Sequence, residues 1–196
     1  MFQAQDELSR HKVLNLPNVL TYLRIAAIPV ILFLLAPPAP GSRMNAAFLL
    51  FVAASITDLL DGILARRNNQ VTSIGKLLDP LADKLLTSAV LIMLTALGKV
   101  PGWLVFLIIG REMTITGLRS IAASQGLILK ASPMGKRKMV SQTIALAALL
   151  IYFPHFQIAL DRIGMFFLWA SLILGYWSAG SYFLHFYQEA TRQTRN

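Results

Sequence analysis

The feature that most constrains this chain is a succession of apolar runs, each roughly the 20 residues that a helix needs to cross the hydrocarbon core of a bilayer. Six are legible: Pro17 to Ala36, Asn45 to Arg66, Leu77 to Leu97, Trp103 to Ala123, a shorter one from Met139 to Phe153, and Ile163 to Tyr187. Helix breakers stand between them. Pro37-Pro38-Ala39-Pro40-Gly41 ends the first run, Gly98 and Pro101-Gly102 part the third from the fourth, and Ser132-Pro133-Met134-Gly135 sits in the longest loop. Charge is scarce: 14% of the 196 residues are charged and 56% are hydrophobic, against about 25% charged in a soluble domain. A chain in hydrocarbon must satisfy its backbone hydrogen bonds internally. The expected fold class is therefore all-α, a polytopic membrane protein with six transmembrane helices.

The sequence divides into residues 1–16, a six-helix segment over 17–187, and a tail over 188–196. Residues 1–16 mix Phe2, Leu8, Val13 and Leu14 with charges and lack the pattern of a signal peptide. They suit an N-terminal amphipathic helix lying on the membrane; a frayed polar tail is the alternative. Counting Lys and Arg orients the whole. Eleven (Arg10, Lys12, Arg66, Arg67, Lys76, Lys130, Lys136, Arg137, Lys138, Arg192, Arg195) fall on one side, and three (Arg43, Lys99, Arg162) on the other. The positive-inside rule then puts both termini in the cytoplasm. The net charge of +9 is explained by those loops and an anionic lipid surface, not by nucleic acid. With no cysteine, thiolate nucleophiles and zinc-thiolate centres are excluded. The three histidines, His11, His155 and His185, are too scattered to argue a metal site.

A charge inside a span costs about 2.5–3.5 kcal/mol on insertion scales and so marks a partner or a function. Asp58, Asp61, Asp79 and Asp83 are four of the nine acidic residues. Asp58 and Asp61 are i,i+3 on the second helix; Asp79 and Asp83 are i,i+4 on the third. Each pair shares a helix face. Asp61 lies five residues, roughly 8 Å, before Arg66, and Asp83 eight residues, roughly 12 Å, past Gly75. On antiparallel neighbours joined by a short loop, both pairs sit at similar depth near the cytoplasmic side. Four facing carboxylates repel unless divalent cations lie between them, and hard oxygen ligands favour Mg2+, Mn2+ or Ca2+. Ion pairing of one aspartate with Lys84 or Arg66 is the alternative for a single residue. Sodium or proton coupling in a transporter is the rival for all four.

The stretch Asp58-Leu-Leu-Asp61-Gly62-Ile-Leu-Ala65-Arg66, eight residues, then Gly75-Lys-Leu-Leu-Asp79-Pro-Leu-Ala-Asp83 resembles the signature of the CDP-alcohol phosphatidyltransferases at all eight defining positions. The resemblance implies displacement at a pyrophosphate phosphorus, with two metals, Mg2+ or Mn2+, neutralising the pyrophosphate and the departing CMP. It implies Asp58, Asp61 and Asp79 as metal ligands, and Asp83 as general base with metal contact. Gly62, Ala65 and Gly75 would leave room for the nucleotide, although Gly75 also reads as helix punctuation. Arg66 suits a phosphate, and Thr72 stands where the family often places a hydroxyl near the nucleotide. Leu16-Pro-Asn-Val-Leu-Thr21-Tyr-Leu-Arg24 is similar to the family's first helix, where Thr21 would line the CDP pocket; a capping role is the alternative.

The second half bears on the acceptor. Gly110-Arg111-Glu112-Met-Thr-Ile-Thr-Gly117-Leu-Arg119 and Met134-Gly135-Lys136-Arg137-Lys138 resemble the family members that accept sn-glycerol 3-phosphate. Met139 and Met134 depart from that pattern, where Thr and Ile or Leu are usual. Arg111 and Arg119, about two turns apart, are expected on one face and, with Lys136 and Lys138, to form a cationic cup for the acceptor's phosphate, Glu112 orienting one arginine. The positive-inside rule alone is the alternative for Lys136-Arg137-Lys138. The implied reaction is CDP-diacylglycerol plus sn-glycerol 3-phosphate giving phosphatidylglycerophosphate and CMP, in a homodimer in the inner membrane of a bacterium, with the active site facing the cytoplasm. An inositol phosphate acceptor would use the same cup.

Overall fold

Each of the six apolar runs is a helix. The computed structural model of the chain describes residues 16–68, 73–124 and 133–193, with side chains described over 19–57, 78–124 and 133–184. The helices are α1 (Leu16–Leu35), α2 (Gly41–Asn68), α3 (Ser73–Ala96), α4 (Gly102–Ser124), α5 (Pro133–Leu150) and α6 (Gln157–Gln193). The N-terminal amphipathic segment expected over 1–16 lies outside the described residues except at Leu16, which opens α1.

The helices from α2 to α6 are longer than their apolar runs, because backbone hydrogen bonding continues through polar residues until a breaker stops it. Pro133, expected in a loop, is the first residue of α5, where a missing N–H costs nothing. The Pro40 carbonyl accepts the amides of Arg43 (3.0 Å) and Met44 (3.1 Å), and that of Pro101 the amides of Leu104 (3.0 Å) and Val105 (3.3 Å). These prolines start α2 and α4. After α3 the Leu97 amide still reaches the Met93 carbonyl at 2.9 Å. Gly98 then turns into the left-handed region at φ 71°, which costs a residue without Cβ nothing.

Two compact units emerge: residues 1–97 with Leu150–Phe153, and residues 98–149 with 154–196. In the first, α1 packs along both α2 and α3. Buried positions recur at steps of three, four or seven: Thr21, Arg24, Ile31 and Leu35 on α1; Met44, Ala47, Phe51 and Ala54 on α2; Ala82, Leu86, Val90 and Leu94 on α3. These are the inward stripes of packed helices. The sequence predicts α2 and α3 as close antiparallel neighbours; the helix that lies against both is α1. The Asn45 side chain also pairs with the Tyr152 backbone in both directions, donating to its carbonyl (3.1 Å) and accepting from its amide (2.7 Å).

In the second unit α4 packs on α6, with Ile115, Ala179 and Tyr182 in one cluster backed by Leu118. The α6 stripe is Gly164, Leu168, Ser171, Gly175, Ser178 and Tyr182. Small residues there let α5 come close: a Cβ on Gly164 would sit 2.6 Å from Leu149 Cγ and 3.1 Å from the Ala145 carbonyl oxygen. Ser141 of α5 donates to the Phe167 carbonyl at 2.8 Å. Lys99 caps the end of α5, donating to the Leu149 carbonyl and to Asp161, both at 2.9 Å.

The all-α expectation holds. By length and composition, one helix among the described residues, Gln157–Leu184 at 28 residues, is long and apolar enough to cross a membrane; Val19–Leu35 is a shorter apolar helix. The other helices are interrupted by charge: Asp79, Asp83 and Lys84 on α3, Arg111, Glu112 and Arg119 on α4, and Lys136, Arg137 and Lys138 at the start of α5.

The close approach of α5 and α6 makes a measurable prediction. Gly164→Ala should lower stability by about 1–3 kcal/mol through overpacking. Gly117→Ala, where an added Cβ meets nothing within 4 Å, should be neutral or gain up to about 1 kcal/mol of helix propensity. Thermal unfolding of both variants in detergent checks this; equal melting temperatures would refute the packing described.

Candidate active site

The described part of the carboxylate site is built on α1 and α3. Asp79 and Asp83 are half-buried. Steps of four and three link them to Leu86 and Val90, so they extend the inward stripe of α3 toward its N-terminus. Thr21, on the inward stripe of α1 and 1% exposed, donates its hydroxyl hydrogen bond to Asp79 Oδ1. It lies within α1 and does not cap it. Arg24, one turn further along α1, is also buried. Thr87 donates to the Asp83 carbonyl at 3.0 Å, a local helix bond that leaves the Asp83 carboxylate out of account.

Asp58, Asp61, Gly62, Ala65 and Arg66 belong by backbone to α2, and Gly75 to α3; their side chains lie outside the described residues, as does Thr72 altogether. Among the described residues no three His, Asp or Glu side chains come together. The donors that are described suit a hard cation: two carboxylates one turn apart, half-buried, on a chain without cysteine.

A second polar cluster is built on α4, α5 and α6. Arg111 follows the spacing of Leu104, Ile108 and Ile115, the inward stripe of α4. Its Nε donates to the Gly175 carbonyl of α6 at 2.9 Å, and its Nη1 to Glu112 Oε1 at 3.0 Å. Lys138, on the inward stripe of α5 and 8% exposed, bonds the same Glu112 oxygen. A half-buried arginine and a buried lysine thus share one carboxylate. The cavity inside the cluster is about 10 Å³, no more than one water occupies. Beside it, a groove of about 490 Å³ runs between α4 and α6, lined by Phe106, Gly110, Arg111, Thr114, Tyr176 and Phe183.

Of the four cations expected around the acceptor's phosphate, the structure brings Arg111 and Lys138 together. Arg119 and Lys136 are exposed. Eight residues are 2.2 turns, so Arg119 is carried about 80° around α4 from Arg111, off the inward stripe. Lys136 is likewise two residues off the stripe that holds Lys138. Glu112 does more than orient one arginine, because it joins α4 to α5. Sequence spacing carried no signal of that bond, whereas a carboxylate next to an arginine inside an apolar run is a visible hint.

Removing one member of a buried ion cluster leaves charge uncompensated, at about 3–5 kcal/mol, while an all-apolar replacement is close to neutral. Glu112→Leu should therefore lower stability by about 3 kcal/mol. The triple change Arg111→Met, Glu112→Leu, Lys138→Met should recover most of that loss. Melting temperatures in detergent test this, and a single variant as stable as the unaltered protein would show that the cations are not held as described.

Comparison with known proteins bears on both clusters. The family model described as CDP-alcohol phosphatidyltransferase matches residues 14–177. A CDP-diacylglycerol–glycerol-3-phosphate 3-phosphatidyltransferase of Bacillus subtilis (strain 168) is 39% identical over 180 residues, covering 86% of this chain and 93% of the relative. A protein of the same name from Rickettsia bellii is 44% identical over 170 residues, with the same shares covered. One from Arabidopsis thaliana, whose name adds the numeral 2, is 42% identical over 154 residues, 71% of this chain and 65% of its own. The family match takes in α1 through α5 and most of α6, and with them both polar clusters: the chain belongs to the CDP-alcohol phosphatidyltransferase family.

Proposed function

We infer that this chain transfers the phosphatidyl group of CDP-diacylglycerol to sn-glycerol 3-phosphate, giving phosphatidylglycerophosphate and CMP. The observation that carries the reading is Asp79 and Asp83 on the inward stripe of α3, within a signature complete at eight positions of the sequence. The names of the relatives add the donor and the acceptor.

An acceptor hydroxyl attacks the phosphorus of the phosphatidyl group, the bond from that phosphorus to the CMP oxygen breaks, and the hydroxyl proton passes to Asp83. The buried steps on α2, at Met44, Ala47, Phe51 and Ala54, continue arithmetically to positions 58, 61 and 65, which supports Asp58 and Asp61 as partners of Asp79 and Asp83. Two divalent cations, Mg2+ or Mn2+, held by these four aspartates, would supply neutralising charge to the pyrophosphate. Gly62, Ala65, Arg66, Thr72 and Gly75 make up the nucleotide side of the site. Arg111 and Lys138 bind the acceptor's phosphate at the edge of their shared contact with Glu112, and Arg119 and Lys136 attract it from the surface.

The catalytic segment, 17–187, crosses the cytoplasmic membrane of a bacterium six times as a homodimer, with termini and active site facing the cytoplasm. The eleven-to-three distribution of Lys and Arg and the outward apolar side chains support this. Phe33, Phe106, Met113, Ile158 and Trp177 are each at least 70% exposed, a surface that lipid or a second copy would cover. The polar residues that interrupt the spans are then those that do the chemistry.

The test is release of CMP from CDP-diacylglycerol with Mg2+, in the presence of sn-glycerol 3-phosphate, inositol 1-phosphate, serine or no acceptor. Release is expected with sn-glycerol 3-phosphate alone, and Asp83→Asn should cut the rate about 10²-fold or more. Release with a different acceptor would overturn the substrate, and no release from folded protein would overturn the activity.

A further inference from the structure

Thr21 is the one hydroxyl on the inward stripe of α1. It is 1% exposed, and its proton is directed to Asp79 Oδ1 on α3. A buried hydroxyl needs a partner, and a carboxylate is the strongest neutral-to-ionic partner available to it. The consequence falls on Asp79. A carboxylate on a helix has two soft torsions and two equivalent oxygens; a donor from a neighbouring helix selects one rotamer and occupies one oxygen. Oδ2, and the second lone pair of Oδ1, are left for a cation. Because α1 packs along both α2 and α3, the helix that supplies this donor also sets the separation of the two carboxylate-bearing helices.

We propose that Thr21 is a positioning residue for Asp79: its hydroxyl holds the carboxylate in the orientation that binds the divalent cation. This rests on the proposed function in one respect only, that Asp79 is a metal ligand, and it replaces the nucleotide contact that family resemblance implies for Thr21. At 1% exposure the side chain offers a nucleotide almost no surface, whereas the bond to Asp79 is already made. The role belongs to an outer partner that orients a ligand, a kind of residue whose loss typically weakens metal binding 10–100-fold.

The experiment is direct Mn2+ binding to the full chain in detergent, followed by loss of the electron paramagnetic resonance signal of free Mn2+, with no lipid and no acceptor present. Thr21→Val removes the donor at nearly constant volume, Thr21→Ser keeps it, and Asp79→Asn marks the effect of losing the ligand. The expected result is Mn2+ affinity lowered about 10-fold in Thr21→Val and restored in Thr21→Ser, with the Mn2+ concentration for half-maximal CMP release shifted by the same factor. Thr21→Ala, which has no added methyl to seat, is measured in parallel so that misfolding of one variant leaves the other. Unchanged Mn2+ affinity with a raised KM for CDP-diacylglycerol would overturn the proposal in favour of a nucleotide contact. Unchanged values throughout would reduce the bond to helix packing. If the unaltered chain binds Mn2+ but releases no CMP with any acceptor, the proposed function fails while the Mn2+ comparison still decides the role of Thr21.

Discussion

A polar group on the inward stripe of an apolar helix has no water to fall back on, and the rest of this structure is arranged around that constraint. Thr21 and Asp79 meet across α1 and α3. Arg111, Glu112 and Lys138 meet across α4 and α5, with the Gly175 carbonyl of α6 as a further acceptor. Thr21–Asp79, Lys138–Glu112 and Arg111–Gly175 each join two helices, so these bonds also fix the helices against one another. Burial without such partners would cost several kcal/mol per group, which makes both clusters points of specificity as well as candidate sites.

The two compact units have one cluster each. The first carries the described carboxylates Asp79 and Asp83. The second carries Arg111 and Lys138, whose shared carboxylate leaves them positive in sum. Glu112 tempers the field of two cations that would otherwise repel.

Small and rigid residues do the remaining work of shape. Pro40, Pro101 and Pro133 begin helices, Gly98 ends one in a left-handed turn, and Gly164 lets α5 and α6 approach to a distance that a single methyl would disturb.

The sequence by itself determined the helical type of the described elements and which acidic residues are candidates for the carboxylate site. Apolar runs between breakers are a local property, and so is the spacing that puts Asp79 and Asp83 on one face of α3. Helix ends were less legible, because the end of an apolar run is not the end of backbone hydrogen bonding; Pro133 is the clearest example. Tertiary structure alone decided which polar side chains meet. That Thr21 reaches Asp79, 58 residues away, and that Lys138 reaches Glu112, 26 residues away, depends on which helices lie side by side. The offset of about 80° between Arg111 and Arg119 follows from helix geometry, but which of the two turns inward is set by the packed face of α4, where Arg111 is half-buried and Arg119 exposed. Local spacing sets the face a residue occupies, and packing between helices sets what that face meets.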